Sequence, residues 1–297
     1  MIHYLFGQIF GVVFYGILFL LGQTLVTNTA LAQPLVFTAI PDQDTERLQE
    51  RFNKVAVYLQ EKLAIEVIYI PVKTYSASIA AFKNNAVQLA WFGGLSGVQA
   101  RLAVPGSQAI ALGEEDLNFV SYFIAHTSTG ITEAATLPDN LAGRTFTFGS
   151  KGSTSGRLMP EYFLRQHFEK TPSQIFRRVG FSGNHSKSLQ LVQSGSYELG
   201  VLNYKVWEAE LAAGKINLKK VRIIWKSPSY PDYNWSIRGD VDKIWGIGFL
   251  EKVKSVLLAI TDKEILQAFP RKKFVAADNK LFIPILKTAQ NIGIIRK

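Results

Sequence analysis

Residues 149–156 read Gly-Ser-Lys-Gly-Ser-Thr-Ser-Gly, four hydroxyls and three glycines in eight positions. Three chemistries use such a run. A P-loop ends in Gly-Lys-Ser/Thr, whereas Lys151 precedes the hydroxyls here. A nucleophile elbow reads Gly-x-Ser-x-Gly, whereas the stretch from Gly152 to Gly156 has Thr154 at its centre. An oxyanion cradle fits better. Proline is tolerated only in the first turn of a helix, so Pro160 sets a helix N-terminus close to Ser155. The first N–H groups of a helix lack intrahelical acceptors and carry partial positive charge. Ser153, Thr154 and Ser155 add hydroxyl donors there, and Gly152 and Gly156 admit close approach. A capped loop that binds nothing has the same composition.

His185 lies in Ser182-Gly183-Asn184-His185, after one strand pattern and before a helix pattern. That is the equivalent strand-to-helix junction one unit later, and equivalent junctions of a parallel sheet share an edge. Tyr75, between Thr74 and Ser76, follows another strand and offers a phenol donor. Trp91, which closes a third strand before Gly93-Gly94, reads as core.

The elements that must hold these residues alternate. Strands are expected at 35–39, 67–72, 87–92 and 119–125, with helices between them; the first helix is capped by Asp44 and buries Leu48, Phe52, Val55, Leu59 and Leu63. A second series follows, with strands at 144–148, 176–179, 199–202 and 221–225, then residues 227–239 of loop composition and a helical end. Two α/β units, linked by strands near 120–126 and 221–226, predict two lobes joined by a double crossover, with the ligand site between them.

The whole chain bounds the rest. Its 297 residues, 47% hydrophobic and 19% charged, suit a globular protein with ample core. Residues 1–32 hold no Asp, Glu, Lys or Arg and end in Ala30-Leu31-Ala32, the pattern of an export signal cleaved before Gln33; an uncleaved membrane anchor is the alternative. Cysteine is absent, which excludes disulfides, thiolate metal sites and an N-terminal lipid on Cys. The net charge of +10 is scattered, and its densest groups, Lys219-Lys220-Val221-Arg222 and Arg271-Lys272-Lys273, read as solvated faces rather than a nucleic-acid surface.

Assembled, these residues resemble the phosphonate, phosphite and phosphate binding proteins of ABC importers. The similarity runs in order through Ile40-Pro41, Thr74-Tyr75, Ala90-Trp91-Phe92-Gly93, Gly152-Ser153-Thr154-Ser155-Gly156, Gly183-Asn184-His185, and Ser227-Pro228 with Asp232 downstream. The resemblance implies a two-lobed type II periplasmic binding fold of the α/β class, each lobe a mainly parallel sheet with helices on both faces. Lobe 1 would comprise residues 33–124 and 226–297, and lobe 2 residues 125–225. It further implies that Tyr75, Ser153, Thr154, Ser155 and His185 hold the anion's oxygens, and that Asp232 occupies an acidic position that meets the ammonium group of aminophosphonates. Phe92-Gly93-Gly94 departs from the Phe-Gly-Pro of many phosphonate binders and looks closer to a selenate-type branch, so phosphorus, selenium and sulfur oxyanions all stay open.

The expected protein is thus a monomeric periplasmic receptor without cofactor or metal, delivering a small oxyanion to a membrane permease. Two alternatives are a hydrolase using Ser153, His185 and Asp232, and a ligand-sensing module held in the membrane by its leader.

Overall fold

The computed structural model describes residues 33–296. The leader expected at 1–32 lies outside the described residues, and no helix among the described residues is long and apolar enough to cross a membrane.

The chain lays down β1 (Leu35–Ala39), α1 (Thr45–Leu63), β2 (Val67–Tyr69), α2 (Tyr75–Lys83), β3 (Leu89–Phe92), α3 (Gly94–Ala103) and β4 (Gln108–Gly113). It then crosses to a second sheet, through β5 (Ser121–His126), β6 (Thr145–Phe148), α4 (Met159–Phe168), α5 (Pro172–Ile175), β7 (Arg178–Phe181), α6 (His185–Gln193), β8 (Leu199–Asn203), α7 (Tyr204–Ala212) and β9 (Val221–Lys226). It returns with β10 (Asn234–Ile237), α8 (Val241–Trp245), α9 (Phe249–Leu258), α10 (Lys263–Ala268), β11 (Phe274–Ala276) and α11 (Ile283–Asn291).

The two sheets share one plan. The first is ordered β11-β4-β10-β3-β1-β2 and the second β7-β6-β8-β5-β9. In each, three parallel strands (β2-β1-β3 and β7-β6-β8) are followed by one antiparallel strand, β10 or β5. That antiparallel strand is the first one laid down after a crossing.

Alternation along the strands separates the cores. Phe123 and Ala125 of β5 join Phe146, Phe148, Leu164 and Ile175 on one face, while Ile124 joins Leu189, Val192, Val206 and Trp207 on the other. Helices therefore cover both faces of the second sheet. In the first lobe α1 buries Leu48, Phe52, Val55, Leu59 and Leu63, capped by Asp44, whose carboxylate accepts the Glu46 N–H.

Three strands were not expected. β4 and β11 passed unremarked, and β10 occupies part of the stretch that reads as loop. The cause in β10 is its alternation of Asn234 and Ser236 with Trp235 and Ile237. Its two polar side chains look solvated in sequence but are buried against Arg101, whose guanidinium donates to Asn234 Oδ1 at 2.9 Å and Ser236 Oγ at 2.6 Å.

The crossing segments run side by side. Phe119 and Tyr230 pair through both backbone hydrogen bonds, at 2.9 and 3.0 Å, and Asp232 N–H donates to Asp116 O at 3.0 Å. Arg271 corrects the expectation of a solvated basic face at 271–273: its guanidinium is buried and clamps Asp116 through two bonds of 2.7 and 2.8 Å. Lys273, by contrast, makes a surface pair with Glu114.

Candidate functional site

Every residue singled out for chemistry lies at the carboxyl ends of the parallel strands, where the two sheets face each other. Tyr75 opens α2, behind the cap in which Thr74 Oγ1 accepts the Ala77 N–H. The hydroxyl run follows β6, and His185 opens α6 after β7, capped by Asn184. Asp232 lies on the returning crossover before β10. Tyr75, Ser153, Thr154, Ser155, His185 and Asp232 are each at most 2% exposed, so the two halves have closed over them.

The expected helix N-terminus is present in modified form. Residues Thr154–Leu158 make one π turn before α4, with Ser153 as its cap, Ser153 Oγ accepting the Gly156 N–H at 2.9 Å and Leu158 N–H reaching Ser153 O at 3.0 Å. A π turn widens the helix mouth and is frequent at functional sites. The leading N–H groups of Thr154 and Ser155 have no acceptor within the turn. Two glycines of the run are closely packed: a Cβ on Gly152 would stand 3.1 Å from Tyr75 Cβ of the other lobe, tight enough to make the neighbour shift. One on Gly156 would stand 2.9 Å from His185 Cε1.

His185 is held as a neutral donor. Its Nδ1 accepts the Asn203 N–H at 3.2 Å, which leaves the ring hydrogen on Nε2. Burial pulls its pKa down to about 4, with nearby Asp42 opposing. Burial likewise pushes the Tyr75 phenol well up, assisted by Asp42 and Asp232. Asp232 Oδ1 accepts the Gly94 N–H at 2.9 Å, and burial raises this carboxyl to about 6 against the pull of the Thr154 hydroxyl, the Gly94 N–H and the Ser155 hydroxyl. Thr154 Oγ1 also accepts the Leu95 N–H at 2.9 Å, a bond between the lobes.

One observation unites the site. Tyr75 Oη, His185 Nε2, Asp232 Oδ2 and Asp42 Oδ1 are buried and meet no hydrogen-bond partner among the described residues. Most buried polar groups are satisfied, so four such atoms around one seam mark a place for a polar ligand.

Asp42 was missed in sequence, as were its neighbours Tyr233 and Asn203. Asp42 Oδ2 accepts from Tyr233 Oη at 2.7 Å, and that oxygen accepts from Asn203 Nδ2 at 2.8 Å. The signal was available: Asp42 follows Ile40-Pro41 at the carboxyl end of β1, the edge that Tyr75 shares. Lys205, by contrast, pairs with Glu208 at 3.1 Å. Nor does a hydrolytic triad form, because the Asn203 N–H occupies His185 Nδ1, where the triad carboxylate would bind, and Ser153 Oγ serves as a cap.

Comparison with known proteins decides the class. The family model for the phosphonate periplasmic substrate-binding proteins of ABC transporters matches residues 37–282. The chain belongs to this family. Among its phosphonate-binding relatives, a probable ABC transporter phosphite binding protein, PhnD1, of Prochlorococcus marinus (strain MIT 9301) is 38% identical over 265 residues, 87% of this chain and 89% of the relative. The phosphonates-binding periplasmic protein of Escherichia coli K12 is 26% identical over 66% of this chain and 58% of its own. The crystal structure of PhnD1 in complex with methylphosphonate superposes with a TM-score of 0.84 over 89% of this chain and all of that one. A binding-protein component of an ABC phosphonate transporter from Pseudomonas aeruginosa, 20% identical, shares the fold at a TM-score of 0.75 over 88% of this chain and 86% of that one. The protein is therefore a substrate-binding component of an ABC transporter, with the two-lobed fold of periplasmic receptors, and not an enzyme.

Proposed function

We propose that this receptor captures a small phosphorus oxyanion (phosphite, methylphosphonate or phosphate) between its lobes and, as a periplasmic monomer, presents it to the permease. The lobes are those read from the sequence, 33–124 with 226–297 and 125–225, turning about the paired crossing segments. The convergence of two buried donors without acceptors, Tyr75 Oη from the first lobe and His185 Nε2 from the second, carries the reading. Ser153, Thr154, Ser155 and the leading N–H groups of the π turn complete the donor set around a trigonal PO3 face.

Hydrogen bonds to a charged group contribute roughly 1.5–3 kcal/mol each. Five of them support micromolar or tighter binding after the costs of desolvation and closure. Burial raises the Asp232 carboxyl to about 6, so it is mostly a carboxylate at neutral pH and gains the proton with which it could donate to a plain oxyanion only as pH falls through 6. An ammonium-bearing phosphonate would meet it in that carboxylate form.

Calorimetric titration with phosphite, methylphosphonate and phosphate tests the reading. One saturable site is expected, weakened by at least tenfold in Ser153→Ala and in His185→Ala. A folded protein that takes up none of the three would refute it.

A further inference from the structure

The two lobes also touch outside the ligand site. Arg47, in the first turn of α1, donates through Nη1 to Glu210 Oε1 at 2.9 Å and through Nη2 to Oε2 at 3.5 Å. Glu210 lies in the last turn of α7 in the other lobe, 163 residues away along the chain. Ser186, next to the anion-facing His185, adds a hydroxyl to the same Oε1 at 3.3 Å. The pair is asymmetric: the Glu210 side chain is 5% exposed and the Arg47 side chain 30%. Beside it the seam widens into a cavity of about 360 Å³ that reaches from Ala209 to Gln43, Glu50 and Gln267. There α1 and α7 are bridged by this pair rather than packed on each other.

Such a bridge lasts only while the lobes are shut. Opening them about the paired crossing segments draws α1 away from α7, and both side chains return to water. None of the pair's atoms belongs to the donors assigned to the anion, so it acts on the ligand through the balance of open and closed forms alone. A contact made only in the closed form stabilises every closed complex equally, and so tightens every ligand by the same factor.

Burial makes the two partners unequal. Closing without Arg47 would seat the Glu210 carboxylate in the seam with no cation, which costs more than the pair itself contributes. Closing without the Glu210 charge leaves Arg47 at a place that water still reaches.

We propose that Arg47 and Glu210 form an interlobe latch: an affinity-determining pair that touches no ligand, has no part in choosing one, and sets how long the closed receptor holds the anion it has selected. The inference rests on the reading above, in which a small phosphorus oxyanion is held by closure.

The test is calorimetric titration of wild type, Arg47→Ala, Glu210→Gln and the double variant with methylphosphonate and phosphite. Dissociation is followed by stopped flow, and melts of the ligand-free proteins control for folding. Arg47→Ala is expected to weaken both ligands by at least tenfold and by the same factor, with the change in the dissociation rate. Glu210→Gln should weaken them less, and the double variant should bind like Glu210→Gln, recovering part of what Arg47→Ala alone lost. Three results each overturn the latch: a folded Arg47→Ala with wild-type affinity, losses that differ by more than threefold between the two ligands, or a double variant no tighter than Arg47→Ala. Wild type that takes up neither anion defeats the underlying reading instead.

Discussion

Two residues of the site pull stability in opposite directions as pH changes. His185, lowered from 6.5 to about 4, binds fewer protons folded than unfolded, so its contribution is present above pH 6.5 and is lost as pH falls toward 4. Asp232, raised from 3.8 to about 6, binds more protons folded, so stability grows as pH falls from 6 toward 4. The shifts are comparable in size and partly cancel. Asp232→Asn should expose the histidine's effect: from pH 7 to pH 5 its melting temperature is expected to fall more than that of wild type, measurable by calorimetry. Tyr75→Phe removes a buried hydroxyl that meets no hydrogen-bond partner among the described residues. It should weaken methylphosphonate by about tenfold, ~1.4 kcal/mol, and leave the melting temperature of the ligand-free protein unchanged or higher. The donors were legible in sequence because the hydroxyl cluster and the histidine fall at equivalent strand-to-helix junctions, which a parallel sheet brings to one edge. Asp42 was not, because a lone Asp after Pro reads as a turn residue, and only the fold brings Tyr233 and Asn203 to it.

At the scale of elements, the π turn at Thr154–Leu158 was legible only as a helix start: Pro160 gives the place, but nothing local shows that the turn is widened. The parallel strands declared themselves by apolar runs such as Leu-Ala-Trp-Phe in β3. β10 did not, since its polar half is justified by Arg101, which lies on a helix more than a hundred residues earlier in the chain. The meeting of the Gly152 loop with α2 offers a sharp check. Gly152→Val would press branched carbon atoms onto Tyr75, whose Cβ stands 3.1 Å from the position of even the first added carbon. Each lobe should fold as before while closure stalls, so methylphosphonate affinity is expected to drop by at least a hundredfold with little change in the circular dichroism spectrum.

For the whole molecule, the clamp between Asp116 and Arg271 joins the outgoing crossover to the C-terminal part of the first lobe. Asp116→Ala would leave a buried guanidinium uncompensated, a loss of roughly 3–5 kcal/mol. Chemical denaturation should show a lower midpoint, whereas mutating the exposed pair of Lys273 and Glu114 should hardly move it. The strand order has a further consequence, for the time course of folding. β10 sits between β3 and β4, and β4 and β11 join the first sheet only through it, whereas β5 to β9 form one unbroken stretch of chain. The first lobe therefore cannot complete its sheet until residues 234–237 have arrived, after the whole second lobe has been made. In pulse-labelled hydrogen exchange during refolding, amides of β5, β6 and β8 should gain protection before those of β4. A chain threaded from its amino end into a new compartment would thus mature from its middle outward, with its first-made half waiting for its last.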